Sequence, residues 1–144
     1  MNIEIHEGFP NVEIIINCPQ TTDEINKIVA ILHLCEKRFS GVKDGKTYMI
    51  DNQDIFYFES VDKRCFIYTA DDTFETPLKL YEIEESLNDA GFFRSSKSQI
   101  LNIAKIKSLC PDFGGRIEAA MENGEKLIVS RQYAKLLKER LCLK

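Results

Sequence analysis

Ile55-Phe56-Tyr57-Phe58-Glu59-Ser60 decides how this chain of 144 residues folds. Aromatic and β-branched side chains in a run of that length suit a half-buried pleated surface, so the stretch predicts a strand. Working outward, the same reasoning predicts short strands at Thr47 to Asp51, Cys65 to Thr69 and Thr73 to Thr76, the last after an Asp71-Asp72 turn. Leu80, Ile83 and Leu87 at i, i+3 and i+7 then predict one amphipathic helix from about Leu78 to Asp89, closed near Gly91. From Phe92 the strand pattern resumes. Arg116 to Met121 and Lys126 to Val129 flank Asn123-Gly124, the strongest short-range hairpin signal. A last helix is expected from about Arg131 to Leu141, with Tyr133, Leu137 and Leu141 on one face. Strands outnumber helices, and the fold class is mainly β, of α+β type.

The first forty residues read as a β-β-α appendage. Ile3-Glu4-Ile5 alternates, Gly8-Phe9-Pro10-Asn11 is a turn, and Val12 to Ile16 is rich in β-branched residues. Thr21 and Glu24 form a capping box ahead of a helix expected to run to about Phe39, with Ile25, Ile28, Val29, Leu32, Cys35 and Phe39 as its core face. Ala30, Ile31 and Leu34 lie roughly opposite, either as scattered surface residues or as a self-association surface. Gly41-Val42-Lys43-Asp44-Gly45-Lys46 is the clearest boundary signal. It divides the chain into an appendage at 1–40, for dimerisation or sensing, and a main domain at 41–144.

Charge is divided just as unevenly. From Arg94 onward there are eleven Lys/Arg against five Asp/Glu, whereas the first 93 residues carry eight against eighteen. An acidic chain with one basic third points to a polyanion-binding face. No run of apolar residues is long enough to span a bilayer, and Met1-Asn2-Ile3-Glu4-Ile5 lacks the basic start of a signal peptide, so the cytoplasm is the expected location. Cysteines at 18, 35, 65, 110 and 142 form no Cys-x-x-Cys pair and read as reduced thiols, and neither His6 nor His33 has a neighbour at metal-ligand spacing. The common glycine-rich, nucleophile-elbow and zinc-protease signatures are absent. We therefore expect no enzyme activity, no cofactor and no metal.

Three clusters in or near the basic third carry the functional signal. Arg131 stands in the first turn of the last helix with Ser130 as N-cap, where a cation opposes the helix dipole. Such a placement suits either a ligand contact or a salt bridge to a neighbouring carboxylate. Ser96, Lys97 and Ser98 offer hydroxyls and an ammonium that can bind phosphate oxygens. Lys63-Arg64, in the loop after the Ile55–Ser60 strand, is a third cationic pair, and its plain alternative is solvated surface.

The order of these pieces resembles one family. The run Lys46-Thr47-Tyr48-Met49-Ile50, then Asp54-Ile55-Phe56-Tyr57-Phe58-Glu59-Ser60, then an amphipathic helix, then Phe92-Phe93-Arg94-x-x-Lys97-Ser98-x-Ile100-Leu101-Asn102, then Asn123-Gly124 and Val129-Ser130-Arg131-x-Tyr133 is similar to the LytTR DNA-binding domain. The match spans about residues 41–143. It implies a mostly β domain of bacterial transcription regulators that reads successive major grooves of double-stranded DNA with loops. The resemblance makes Arg131 the base-reading side chain, a bidentate partner for guanine. It assigns the adjoining contacts to Lys97, with Ser96 and Ser98 beside it, and to the Lys63-Arg64-Cys65 loop. Many members have His where this chain has Ser96 or Cys65. Most also follow a receiver domain, as response regulators do, which forty residues cannot hold, and the appendage resembles the start of short, stand-alone members.

The resulting expectation is a sequence-specific DNA-binding regulator acting as a homodimer or as two monomers on paired repeats. Two rivals stand beside it. One is a protein-interaction module whose acidic part binds a basic or membrane-protein partner, and the other is a β domain sensing a small molecule through the appendage.

Overall fold

The computed structural model describes residues 1–34, 38–87 and 91–143. A helix, α1 (Asp23–Leu34), precedes five strands, β1 (Arg38–Lys43), β2 (Lys46–Asp51), β3 (Ile55–Val61), β4 (Arg64–Thr69) and β5 (Thr73–Thr76). After α2 (Leu80–Ser86) come β6 (Phe92–Ser96), β7 (Gln99–Asn102), β8 (Ile106–Pro111), β9 (Ile117–Met121), β10 (Lys126–Val129) and α3 (Arg131–Arg140). The first seven strands form one antiparallel sheet in the order β2-β1-β5-β4-β3-β7-β6, and β10-β9-β8 form a second. The mainly β class expected from sequence is what the chain adopts.

Strand β3 sits near the centre of the larger sheet, and all of Ile55, Phe56, Tyr57 and Phe58 are buried. Simple alternation would send every second residue to one face. Here a bulge between Ile55 and Tyr57 breaks the period, so Ile55 and Phe58 enter one core while Phe56 and Tyr57 enter the other. The first core gathers Ala30 of α1, Phe39, Ile67, Leu80, Ile83 and Ile100. The second joins Phe93 and Leu101 to Ile117, Met121 and Val129 of the small sheet and to Ala134 and Leu137 of α3. The larger sheet is thus a wall between two cores. The Tyr57 hydroxyl donates to Glu125 in the β9–β10 turn at 2.8 Å, and its ring stacks on Tyr68 at 4.3 Å.

Four expectations for the first fifty residues are corrected. The segments at 3–5 and 12–16 form no strand and belong to no sheet, and residues 1–24 are exposed throughout. A lone two-stranded hairpin is marginal in water, so sequence pattern alone does not make one. The first helix stops at Leu34, Phe39 belongs to β1, and Cys35 lies outside the described residues. Its N-cap is Thr22, one residue on from the expected Thr21, and the Thr22 hydroxyl accepts from the Ile25 amide at 3.4 Å.

The helix also faces the other way. Ala30 is fully buried and Leu34 packs on the first core, while Ile25, Ile28, Val29 and Leu32 are only half-buried. A small side chain at the contact lets the helix backbone approach the sheet closely, which the bulkier stripe would prevent. Ala30 and Leu34 are therefore not an outer self-association surface, and of that trio only Ile31 is exposed.

Gly41 to Lys43 are strand residues of β1, and Asp44-Gly45 is the turn of the β1–β2 hairpin. Gly41 is there for space: a Cβ would lie 2.6 Å from the Phe74 Cβ on the neighbouring β5. The second helix begins at Leu80, its first turn closed by the Glu82 carboxylate accepting from the Lys79 amide at 3.0 Å. The expected end near Asp89 lies outside the described residues, though Gly91 does take a positive φ of 82°.

Candidate nucleic-acid interface

Lys63 sits at the tip of the β3–β4 hairpin. Val61 pairs with Arg64, so Asp62 and Lys63 form a two-residue turn with φ of 50° and 66°. Positive φ at both central residues is the type I′ geometry that matches strand twist, though asparagine and glycine normally fill it. Lys63 is exposed and has no ion pair among the described residues.

Arg64, next to it, is engaged. Its guanidinium makes a two-pronged contact with Glu75 on β5, at 2.9 and 2.7 Å, and lies 5.3 Å from the centre of the Phe66 ring. The Arg64 hydrogen bonds hold the Glu75 carboxyl below its ordinary range. Cys65 points the opposite way, buried in the first core, where desolvation pushes its thiol up to about 11. That inward placement excludes Cys65 from any surface contact.

The β6–β7 hairpin ends at the same edge. Ser96 pairs with Gln99, leaving Lys97 and Ser98 as the turn, and the Ser60 amide donates to the Ser98 carbonyl at 2.8 Å. That bond ties the two hairpin tips side by side. The turn is also held from beneath by Arg94, which donates to the carbonyls of Ser96 and Lys97 and to Glu84 of α2. Ser96 spends its hydroxyl inside the turn, accepting from the Ser98 amide at 3.2 Å. Lys97 is exposed and has no ion pair among the described residues.

A bulge between Arg94 and Ser96 turns Ser95 inward. Its hydroxyl, wholly buried, donates to the Gln99 side chain at 2.9 Å, while its carbonyl accepts from the Ser130 amide at 2.8 Å. This last bond brings the start of α3 against the β6–β7 turn. Ser130 is the residue before the helix, as expected, but its side chain makes no capping bond. Arg131 is exposed and, among the described residues, has no carboxylate partner, so the salt-bridge alternative for it fails.

One element of this edge gave no sequence signal that was recognised. The β8–β9 loop turns through Phe113–Gly115, and Gly115 lies so close to Arg131 that a Cβ would sit 3.3 Å from the Arg131 Cγ. The loop is braced by the Asp112 amide donating to the Arg116 carbonyl at 2.9 Å, by Arg116 Nε donating to the Phe113 carbonyl at 3.0 Å, and by an Arg116–Asp112 ion pair. At its tip Phe113 is 87% exposed. An aromatic followed by two glycines between strand runs was the available clue.

Lys63, Ser96, Lys97, Ser98 and Arg131 thus share one edge, linked in sequence by the Ser60–Ser98 and Ser95–Ser130 backbone bonds. Among the described residues, Lys63, Lys97 and Arg131 have no ion-pair partner. Arg64 belongs to the same hairpin but gives its charge to Glu75. Among the described residues no cluster of His, Cys, Asp or Glu could hold a metal, and no helix is long and apolar enough to cross a membrane.

Comparison with known proteins identifies the family. The family model of the LytTr DNA-binding domain matches residues 45–142. Proteins of Staphylococcus aureus strains NCTC 8325 and COL, named as uncharacterized HTH-type transcriptional regulators, are each 28% identical over 145 residues, covering 99% of this chain and 98% of theirs. A solved structure, the LytTr DNA-binding domain of a Bacillus cereus protein named as a methyl-accepting/DNA response regulator, superposes with a TM-score of 0.70 at 26% identity, covering 73% of this chain and 96% of that one. With the matched residues running from β2 through α3, this chain belongs to the LytTr DNA-binding domain family.

Proposed function

We propose that the chain is a sequence-specific DNA-binding transcriptional regulator that reads the duplex with the β3–β4 turn, the β6–β7 turn and the start of α3. The observation that carries this reading is the edge where Lys63, Lys97 and Arg131 stand exposed, without an ion pair among the described residues, on backbone that is fixed beneath them. Cations without carboxylate partners break no ion pair on meeting phosphates, and each phosphate neutralised releases counterions. Arg131 supplies the planar fork that suits guanine O6 and N7. Lys63 and Lys97 hold the backbone, with Ser98 beside them, and Ser96 acts by shaping the turn. Arg64 joins the contact only by leaving Glu75.

The Staphylococcus aureus relatives carry a helix-turn-helix name. In this chain α1, α2 and α3 are separated by runs of five strands, so no two consecutive helices stand ready to enter a groove together. Turns at a sheet edge are the reading elements this fold offers instead. Successive grooves on one face then accommodate two copies on paired repeats, an arrangement that favours bent DNA.

Selection of bound sequences from a random duplex pool tests the reading. The expected outcome is a recovered motif whose affinity falls steeply with salt. Recovery of no motif, with retention on heparin equal to that of an Arg131→Ala variant, would refute it.

A further inference from the structure

Phe113 stands at the tip of the β8–β9 loop with its ring 87% exposed, while beyond residue 16 no other large apolar side chain among the described residues exceeds the 61% of Tyr81. A single exposed apolar residue is ordinary. Here, however, the loop holds the ring out. Arg116 Nε donates to the Phe113 carbonyl itself at 3.0 Å, the Asp112 amide closes the loop on the Arg116 carbonyl at 2.9 Å, and Gly114 and Gly115 follow with φ of 75° and 82°. The Asp112 carboxylate is paired with Arg116 at 3.3 Å, so the tip brings an apolar ring and no net charge to an edge that also carries Lys63, Lys97 and Arg131. The loop lies against the residue proposed to read sequence. The Arg131 stem takes the space that a side chain at Gly115 would need: a Cβ there would be 3.3, 3.7 and 3.8 Å from the Arg131 Cγ, Cδ and Nε.

We propose that Phe113 is a second sequence-reading residue, its ring packed on the C5 methyl of a thymine in the groove that Arg131 enters. The inference rests on the role proposed above for Arg131 and adds an apolar contact to it. Phe113 is two residues from Gly115, a reach of about 7 Å, and base pairs stack about 3.4 Å apart, so the thymine lies within about two pairs of the guanine. A phenyl ring has no donor for a phosphate oxygen, and pressing it on the backbone would desolvate a phosphate with no hydrogen bond in return. On the major-groove edges of the bases the thymine methyl is the apolar group, and an aromatic ring is a suitable partner for it.

The probe is the duplex recovered by selection, with each thymine near the guanine that Arg131 reads replaced in turn by deoxyuridine, which lacks only the methyl. Wild-type affinity is expected to fall about 4-fold at one such position, the worth of one buried methyl. Phe113→Ala should bind the unmodified duplex at least about 4-fold more weakly and lose nothing further to deoxyuridine. Its salt slope, its affinity for a scrambled duplex and its thermal unfolding should match the wild type, since the ring neutralises no phosphate and is exposed. Phe113→Leu should recover part of the loss. A motif with no thymine near that guanine, a wild type indifferent to every deoxyuridine, an equal deoxyuridine loss in wild type and Phe113→Ala, or a Phe113→Ala loss shared by the scrambled duplex would each overturn this inference and leave the role of Arg131 standing. Recovery of no motif at all would overturn both.

Discussion

The Arg94 Nε donates to the Ser96 carbonyl at 2.7 Å, so the turn that presents Lys97 is held by a cation beneath it, not by the turn's own residues alone. The same guanidinium reaches Glu84 at 2.9 Å and thereby fixes the turn to α2. Arg94→Ala leaves two carbonyls and a carboxylate without this donor. With Glu84 half-exposed and solvent-screened, we expect a loss of about 1–2 kcal/mol in urea denaturation. Affinity for every duplex should fall with the salt slope unchanged, since Arg94 positions the contact and makes none. A slope lowered by one would mean that Arg94 itself meets phosphate. Arg94→Lys should not restore either property, because one ammonium cannot span three acceptors.

Lys63 separates stability from binding. It sits at φ 66°, a left-handed conformation that costs a residue with a Cβ about 1–2 kcal/mol. Lys63→Gly removes that strain and the charge together. Thermal unfolding should show a gain of about 0.5–1 kcal/mol, after the entropy glycine forfeits. The log–log salt slope of DNA binding should fall by about one. A stabilised variant with an unaltered slope would take Lys63 off the DNA.

Lys97→Ala should weaken matched and scrambled duplexes about equally and lower the salt slope by roughly one, because a phosphate contact carries no sequence information. Gel retardation over a salt series measures it. Loss confined to the matched duplex would make Lys97 a base contact instead.

Arg131→Lys keeps the charge and loses the fork. Non-specific affinity should persist while discrimination at one base position drops by about 1–3 kcal/mol, read from competition with single-base variants of the selected site. The fold should be unaffected, since the side chain makes no internal ion pair among the described residues. An intact sequence preference would remove Arg131 from the reading position.

Burial of Cys65 has a chemical signature. Its thiol ionises near 9.0 in an ordinary environment and only near 11 in the fold, so at pH 8 alkylation should label exposed Cys18, Cys110 and Cys142 and spare Cys65. Between those two values the unfolded chain releases the proton and the folded chain keeps it, so stability is fully present below pH 9.0 and declines as pH rises towards about 11. Mass spectrometry of the labelled peptides and unfolding at pH 8 and pH 10.5 check the two halves. Rapid labelling of Cys65 would show that the hairpin opens.

Local signals settled a good part of the architecture. Strand β5 runs over Thr73–Thr76 and β10 over Lys126–Val129, as their β-branched and apolar runs indicate, and Asn123-Gly124 makes its turn. Turn chemistry and two-residue alternation are properties of neighbouring residues, so a sequence displays them directly. Strand β1 was missed because Ser40, Gly41 and Lys43 look like a linker until Phe74 is seen pressed against Gly41. Ser96 and Lys97 were singled out by residue type, whereas the supporting roles of Arg94 and Ser95 depend on a bulge that no periodicity announces.

By itself the sequence determined strands β2 to β5, the β9–β10 hairpin, helices α2 and α3, the basic third, and the motifs that mark the family, because each is written in contiguous residues. Tertiary structure alone decided that Lys63, Lys97 and Arg131, each thirty-four residues from the next, stand on one edge, that Arg64 turns to Glu75, and that α1 docks through Ala30 and not through its larger apolar stripe. Periodicity reports that a face is apolar. Which partner covers it depends on side-chain volume and on pairings between distant strands, such as β3 with β7 and β1 with β5, and these exist only once the chain has folded.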